Sequence, residues 1–77
     1  MRIEWSPRAI TTASRFLADK GGMTAAVAAI DALEGDPCQP DSFRWGDMRR
    51  LRVGQYRIMY MVEDDLMTID RIDRVTT

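Results

Sequence analysis

An alternating run of apolar and basic residues around Gly54-Gln55 constrains the fold more than any other feature of the sequence. Residues 48–53 and 56–62 are rich in residue types that favour β-strands. Glycine followed by glutamine suits a two-residue hairpin turn of type II′, which favours glycine at its first central position. The two stretches are therefore predicted to form an antiparallel β-hairpin closed by this turn.

The register of this hairpin assigns each side chain to a face, because successive side chains of a strand point to opposite sides. A turn at Gly54-Gln55 places Arg52 opposite Arg57. One face is then apolar and is predicted to meet the helices: Leu51, Val53, Tyr56, Ile58 and Tyr60. The other face is basic and sulfur-rich: Arg50, Arg52, Arg57, Met59 and Met61. A one-residue slip would bury the arginines, so the register is strongly specified.

The arginine pair across the hairpin, Arg52 and Arg57, is a like-charge pair and is destabilising by itself. Something must offset the repulsion. The sequence leaves three alternatives open: a carboxylate of the chain such as Asp70 or Asp73, an acidic partner, or a phosphate group.

The first half of the chain has helical spacing. Ser6-Pro7 predicts a helix start, with serine as the cap and proline at the first helical position. Gly21-Gly22 is predicted to end this helix, and Thr24 to cap a second one that stops at residues 35–37. The predicted apolar faces are Ile10, Ala13, Phe16 and Leu17 on the first helix, and Val27, Ile30 and Leu33 on the second.

The remaining segments complete the predicted order of elements. Residues 2–5 alternate as in a half-buried strand, and residues 66–75 form a last strand after a turn at Asp64-Asp65. Residues 36–46 are predicted to be a loop anchored to the core by Phe43 and Trp45. Helices in one half and strands in the other indicate an α+β fold, with helices on one face of an antiparallel sheet.

Composition bounds the function classes. The chain has 77 residues, 45% hydrophobic and 30% charged, so a single domain over residues 1–77 is expected. The lone Cys38 and the absence of histidine exclude an internal disulfide and argue against a metal site, so no metal and no cofactor are expected. The charged N-terminus and the short apolar runs, the longest at residues 25–30, predict a cytoplasmic protein without a membrane segment.

The charge is unevenly distributed. The net charge of −1 argues against attraction of the whole protein to nucleic acid. All basic residues except Lys20 are arginines, and five of them, Arg44, Arg49, Arg50, Arg52 and Arg57, fall in one short stretch. Arginine binds phosphate or carboxylate through two parallel hydrogen bonds, which lysine cannot do.

The run from Arg50 to Tyr60, followed by an acidic turn and by residues 67–73, resembles the signature hairpin of RelE/ParE superfamily toxins of bacterial type II toxin–antitoxin systems. Residues 3–7 are similar to the first strand and helix start of these toxins, and residues 33–37 to the end of their helical hairpin. The resemblance implies a β-α-α-β-β-β fold, with a helical hairpin packed on one face of a small, mainly antiparallel sheet.

The resemblance also implies a partner and a site. A cognate antitoxin would hold the toxin inactive. Without it, exposed apolar surface such as Met59 and Met61 predicts self-association into a homodimer. RelE-like members cleave mRNA on the ribosome, whereas ParE-like members inhibit DNA gyrase. By position, Arg50 and Arg57 match basic residues that contact the scissile phosphate. Arg74 falls near a basic cluster at the end of the last strand, and Arg49 and Arg52 are expected to bind substrate.

The mechanism stays open between three readings. RNA cleavage needs a group that takes the proton of the 2′-hydroxyl, and arginine cannot do so because its pKa exceeds about 12. The chain has no histidine, and Tyr56 and Tyr60 are predicted to point into the core. The first reading is a metal-free, ribosome-dependent mRNA endonuclease that inhibits translation. The alternatives are a ParE-like gyrase inhibitor and a non-catalytic toxin that only binds its antitoxin.

Overall fold

The computed structural model describes residues 2–36 and 42–75. Its elements in chain order are β1 (Arg2–Trp5), α1 (Pro7–Ser14), α2 (Lys20–Leu33), β2 (Ser42–Trp45), β3 (Met48–Val53), β4 (Tyr56–Glu63) and β5 (Leu66–Arg74). One five-stranded sheet has the strand order β1-β5-β4-β3-β2. β1 pairs with β5 in parallel, and the other neighbours are antiparallel. The predicted α+β class and the β-α-α-β-β-β order are confirmed.

The β3–β4 hairpin has the predicted register. Leu51 pairs with Ile58, Arg52 with Arg57, and Val53 with Tyr56. Gly54 has a φ of 57°, and Gln55 is not among the residues with positive φ, as a type II′ turn requires. The alternation of apolar and basic residues therefore separates the two faces of the sheet as predicted.

A bulge in β5 changes the faces of its last residues. Tyr60 pairs with Ile69, but Met59 pairs with Arg71, so Asp70 is an extra residue in β5. Beyond Asp70 every side chain moves to the face opposite to the one that simple alternation gives. Asp73 consequently shares a face with Arg57, and Arg74 faces the helices with Tyr56.

Helix α1 binds the edge of β5 that β1 leaves free after Trp5. The Ser6 hydroxyl donates to the carbonyl of Asp70 at 2.8 Å, and the Ile72 N–H donates to Thr12 Oγ1 at 3.1 Å. Ser6 also caps α1, since its Oγ accepts from the Ala9 N–H at 3.0 Å, as predicted. Side chains of α1 thus satisfy backbone groups that no strand reaches.

The predicted junction of the two helices is wrong. Helix α1 ends at Ser14, and α2 begins at Lys20 with Asp19, not Thr24, as its cap. Asp19 Oδ1 accepts from the Gly22 N–H at 3.1 Å, so the two glycines lie in the first turn of α2 rather than after α1. Asp19 can start the helix before the glycines because a carboxylate accepts hydrogen bonds from free N–H groups at a helix N-terminus.

The segment predicted as a loop over residues 36–46 contains the short edge strand β2. Phe43 does not anchor it to the core, because its side chain is 62% exposed. The side chain of Trp45 and the whole of Cys38 lie outside the described part of the chain.

The core lies between the helices and one face of the sheet. Its buried members come from both layers: Ala9, Ala13, Met23, Ala26, Ile30, Leu33, Leu51, Tyr56, Ile58, Tyr60, Met67, Ile69 and Ile72. The apolar face predicted for α1 is only partly buried, since Ile10 and Leu17 are mostly exposed. Met59 was predicted to give exposed surface for self-association, but its side chain is buried although it faces away from the helices. Among the described residues, no helix is long and apolar enough to span a bilayer.

Candidate functional site

The face of the sheet away from the helices, called the open face below, carries two rows of paired side chains. One row crosses β2, β3, β4 and β5 through Phe43, Arg50, Met59 and Arg71. The next row crosses β3, β4 and β5 through Arg52, Arg57 and Asp73. Cross-strand partners stand on the same face with their Cβ atoms about 5 Å apart. These two rows together place four arginines beside one aspartate, one methionine and one phenylalanine.

Part of this surface is a cleft of about 250 Å³, lined by Phe43, Arg50, Arg52, Arg57 and Val75. Three of its five lining residues are arginines, so the cleft has the shape and the charge to take an anion. The sequence analysis predicted this convergence from the hairpin register. It did not predict that Phe43 would line the same cleft.

Asp73 is the carboxylate that faces the arginines. Arg57 Nη2 lies 3.5 Å from Asp73 Oδ2, and Arg71 Nε lies 3.1 Å from the same oxygen. Neither Arg57 Nε nor Arg71 Nε makes an aligned hydrogen bond within the described residues, although both atoms are buried. One carboxylate oxygen thus serves two guanidinium groups without satisfying either fully. The sequence left Asp70 and Asp73 as alternative partners of these arginines. In the structure the partner is Asp73.

Arg50 and Arg52 carry the uncompensated charge of the site. Within residues 2–36 and 42–75, Arg50 has no ion pair and no side-chain hydrogen bond. Arg52 Nε donates to the Gly54 carbonyl at 2.7 Å, which orients its side chain but leaves its charge unpaired. Both side chains are exposed and present N–H donors to solvent at the cleft.

Two of the predicted site arginines lie elsewhere. Arg49 faces the helix side of the sheet and donates to Ser42 Oγ from Nη2 at 2.8 Å. Arg74 pairs across the strands with Tyr56 on the helix side. The structure therefore brings Arg50, Arg52 and Arg57 together and separates them from Arg49 and Arg74. For Arg49 simple alternation along β3 already gives this result, whereas for Arg74 the bulge at Asp70 decides it.

Arg74 belongs to a cluster that joins the start of α2 to the end of β5. Tyr56 Oη donates to Asp19 Oδ2 at 2.6 Å, and Arg74 Nη2 donates to Tyr56 Oη at 2.9 Å. The Arg74 guanidinium also lies 4.9 Å from the ring centroid of Phe16. The hydrogen bond from Tyr56 and then that from the Gly22 N–H hold the pKa of Asp19 below its ordinary value; desolvation opposes them, and the charge of Arg74 adds a smaller lowering effect.

A second surface feature is an apolar groove on the helical side of about 680 Å³. Ile10, Leu17 and Val27 line it with exposed apolar side chains, and Trp5 and Met23 also contribute to it. Lys20 stands at this groove as a cation beside apolar residues. An amphipathic helix with acidic residues at its margin has the complementary chemistry.

The arginines of the open face can bind anions and stabilise negative charge, but they cannot accept a proton. The chain has no histidine. Tyr56 and Tyr60 are buried on the opposite face, as predicted. No group of three or more acidic or cysteine side chains that could hold a metal ion occurs among residues 2–36 and 42–75. Guanidinium groups can hold a phosphate and stabilise negative charge, but they cannot accept a proton.

Fold and site together define a small two-layer α+β protein with an arginine-rich open sheet face and an apolar groove on its helices. The chain matches the family described as ParE toxin of type II toxin–antitoxin system, parDE, over residues 3–76. It therefore belongs to the ParE toxin family and is a toxin of a type II toxin–antitoxin system.

Solved structures with the same fold come from toxin–antitoxin systems. The RelBE2 complex of Mycobacterium tuberculosis contains a chain with a TM-score of 0.76 and 20% identity, matched over 95% of both chains. The ParDE system of P. aeruginosa gives a TM-score of 0.76 at 18% identity, over 99% of this chain and 97% of that one. The YoeB–YefM complex of Staphylococcus aureus gives 0.72 at 16%, over 99% and 98%. At these identities the likeness shows the fold. No curated protein matches the chain in sequence.

Proposed function

We propose that this toxin is a RelE-like, ribosome-dependent mRNA endonuclease that binds the RNA backbone on its open face and so inhibits translation. The observation that carries the proposal is the convergence of Arg50, Arg52 and Arg57 on one cleft, with Arg50 and Arg52 lacking a carboxylate partner in the described chain. A phosphate in this cleft offsets the repulsion between Arg52 and Arg57. The carboxylate in the two rows of the open face, Asp73, is held by Arg57 and Arg71, so in this proposal the ribosome supplies the proton acceptor.

The test is growth of a bacterial host after induction of the wild-type chain and of an Arg50→Ala/Arg57→Ala variant. Wild type is expected to stop growth and to halt protein synthesis in a cell extract, and the variant to do neither. Arg8→Ala/Arg15→Ala is the matched control, because it removes two exposed arginines from helix α1 and its end and leaves the open face intact. Equal toxicity of all three chains would contradict the proposal.

A second candidate function is ParE-like inhibition of DNA gyrase. It is favoured by the absence of histidine from the chain and by the burial of both tyrosines, because inhibition through a protein contact needs no proton acceptor. The description of the matched family points the same way. Induction would then trigger the DNA damage response while translation continues. If induction neither halts translation nor triggers the DNA damage response, the chain is a non-catalytic toxin that only binds its antitoxin.

The apolar groove on the helical side is the surface where an antitoxin is proposed to bind. We propose that an amphipathic helix of the cognate antitoxin occupies the apolar groove and that an acidic segment of it covers the open-face arginines. Leu17→Lys, in the groove, is expected to remain toxic but to escape rescue by the co-expressed antitoxin. Thr11→Lys is the matched control, because Thr11 is an exposed residue of helix α1 outside the groove. Rescue of both variants would exclude the groove as the binding site.

A further inference from the structure

The open face contains an aromatic ring that the fold does not use. Phe43 lies on the short edge strand β2 and is 62% exposed, although phenylalanine is usually among the buried residues. It cannot reach the core because the core lies on the other side of the sheet. By contrast Met59, two strands away in the same row, is buried between its arginine neighbours.

The position of Phe43 relates it to the arginines. Its cross-strand partner is Arg50, the arginine without a partner in the described chain, so the two side chains stand side by side on one face. The ring also lines the cleft that holds Arg52 and Arg57. An exposed aromatic ring beside clustered guanidinium groups is the combination by which proteins bind single-stranded nucleic acid, with a base on the ring and the phosphates on the cations.

We propose that Phe43 is a stacking platform for one unpaired RNA base, positioned next to the phosphate that Arg50, Arg52 and Arg57 hold. This inference rests on the proposed function and adds a contact that separates a strand with unpaired bases from polyanions without bases. A base inside a duplex cannot present its face to the ring, so the cleft takes single-stranded RNA. Phe43 has no part in proton transfer; it positions the nucleotide.

The experiment measures the affinity of the purified chain for two probes by fluorescence anisotropy. One probe is a labelled single-stranded RNA hexamer with 2′-O-methyl groups, which prevent cleavage. The other is labelled inorganic polyphosphate, which presents phosphates without bases. The variants are Phe43→Leu, which keeps an apolar side chain without a ring, and Phe43→Trp, which offers a larger ring. The control is Thr11→Ala, which changes an exposed residue of helix α1 outside both the cleft and the apolar groove.

Phe43→Leu is expected to weaken RNA binding at least about fivefold, the lower range for loss of one stacked base, and to leave polyphosphate binding unchanged. Phe43→Trp is expected to bind RNA as tightly as wild type or more tightly, and Thr11→Ala to match wild type for both probes. Because Phe43 is mostly exposed, the thermal midpoint of Phe43→Leu should equal that of wild type.

The other outcomes overturn the inference in distinguishable ways. If Phe43→Leu binds RNA as wild type does, the stacking role fails while phosphate binding by the arginines survives. If it loses both probes equally, Phe43 shapes the cleft and does not read a base. If wild type binds neither probe, the stacking role fails together with the proposed function, and the open face is a protein contact.

Discussion

On the face that the helices cover, every strand residue of the core meets another apolar group, and the polar atoms of Tyr56 and Arg74 find partners in Asp19 and in each other. On the open face the same strands leave charges unpaired, and a single aspartate serves two arginines. Burial of apolar area stabilises the first face. Charges of one sign oppose each other on the second. The difference teaches that alternation along single strands separates the residues that stabilise the fold from the charged residues proposed to bind RNA.

The strongest test of this separation compares two neighbours in β4. Ile58 and Met59 are both buried, but only Ile58 belongs to the core between sheet and helices. Ile58→Ala is expected to lower the free energy of unfolding by about 3–5 kcal/mol, and Met59→Ala by about 2 kcal/mol, because flexible arginine stems close the smaller space. Denaturant titration measures both. Equal losses would show that the open face is packed as tightly as the core.

A smaller effect is expected at the start of α2, where two adjacent glycines have different surroundings. A Cβ on Gly22 would lie 2.7 Å from Tyr56 Cε2, whereas a Cβ on Gly21 would meet no atom within 4 Å. Gly22→Ala should therefore destabilise by about 1–3 kcal/mol, because it displaces Tyr56 or the Asp19 cap. Gly21→Ala should stabilise by about 0.5–1 kcal/mol, since alanine favours the helix. Thermal unfolding distinguishes the two, and a loss of stability in both would contradict the close approach at Gly22.

The hairpin could be predicted because its turn and its alternation agree. Glycine at the turn fixes the register, and a slip would bury arginines, so Arg50, Arg52 and Arg57 were placed correctly from the sequence. The order of elements could be predicted because the spacing of apolar residues changes from helical in the first half of the chain to alternating in the second half. The short strand β2 was missed, because four residues after a proline-containing segment carry too little pattern to separate a strand from a loop.

The bulge at Asp70 could not be predicted, because it is fixed by contacts distant in sequence. Its carbonyl accepts from Ser6, and the Ile72 N–H that follows donates to Thr12. These two bonds to α1 replace the strand pairing that β1 no longer gives. They reverse the faces of Asp73 and Arg74, so Arg74 left the predicted site and Asp73 entered it. The contribution of Phe43 to the cleft was missed for the related reason that β2 was not recognised.

Replacing the aspartate of the open face should affect stability and anion binding in opposite directions. Asp73→Asn leaves Arg57 and Arg71 without their shared carboxylate, and all three side chains are roughly one-third exposed. The expected destabilisation is therefore at most about 1 kcal/mol. Affinity for polyphosphate should rise, because the competing anion is gone.

Asp70→Asn is the matched control for this change. It removes the same charge three residues away, from a side chain with no ion pair in the described chain. It should leave polyphosphate affinity and stability nearly unchanged. If both variants gain affinity equally, the gain comes from net charge and not from release of the arginines.

The smallest effect is a pH dependence on the covered face. Hydrogen bonds from Tyr56 and the Gly22 N–H, with the charge of Arg74, lower the pKa of Asp19 in the folded state. A lowered folded pKa means that the ionised group stabilises the fold above the unfolded pKa of about 3.9, and that this stabilisation is lost as the pH falls through the folded pKa. The difference in unfolding free energy between wild type and Asp19→Asn should thus be constant above about pH 5 and shrink below about pH 4. Denaturant titrations across this range measure it.

Because Asp73→Asn leaves the Asp19 cluster intact, it should preserve this step in the profile, whereas Tyr56→Phe, which removes the largest contribution to the lowered pKa, should reduce it. A profile that Tyr56→Phe leaves unchanged would mean that the hydrogen bond from Tyr56 does not set the pKa of Asp19.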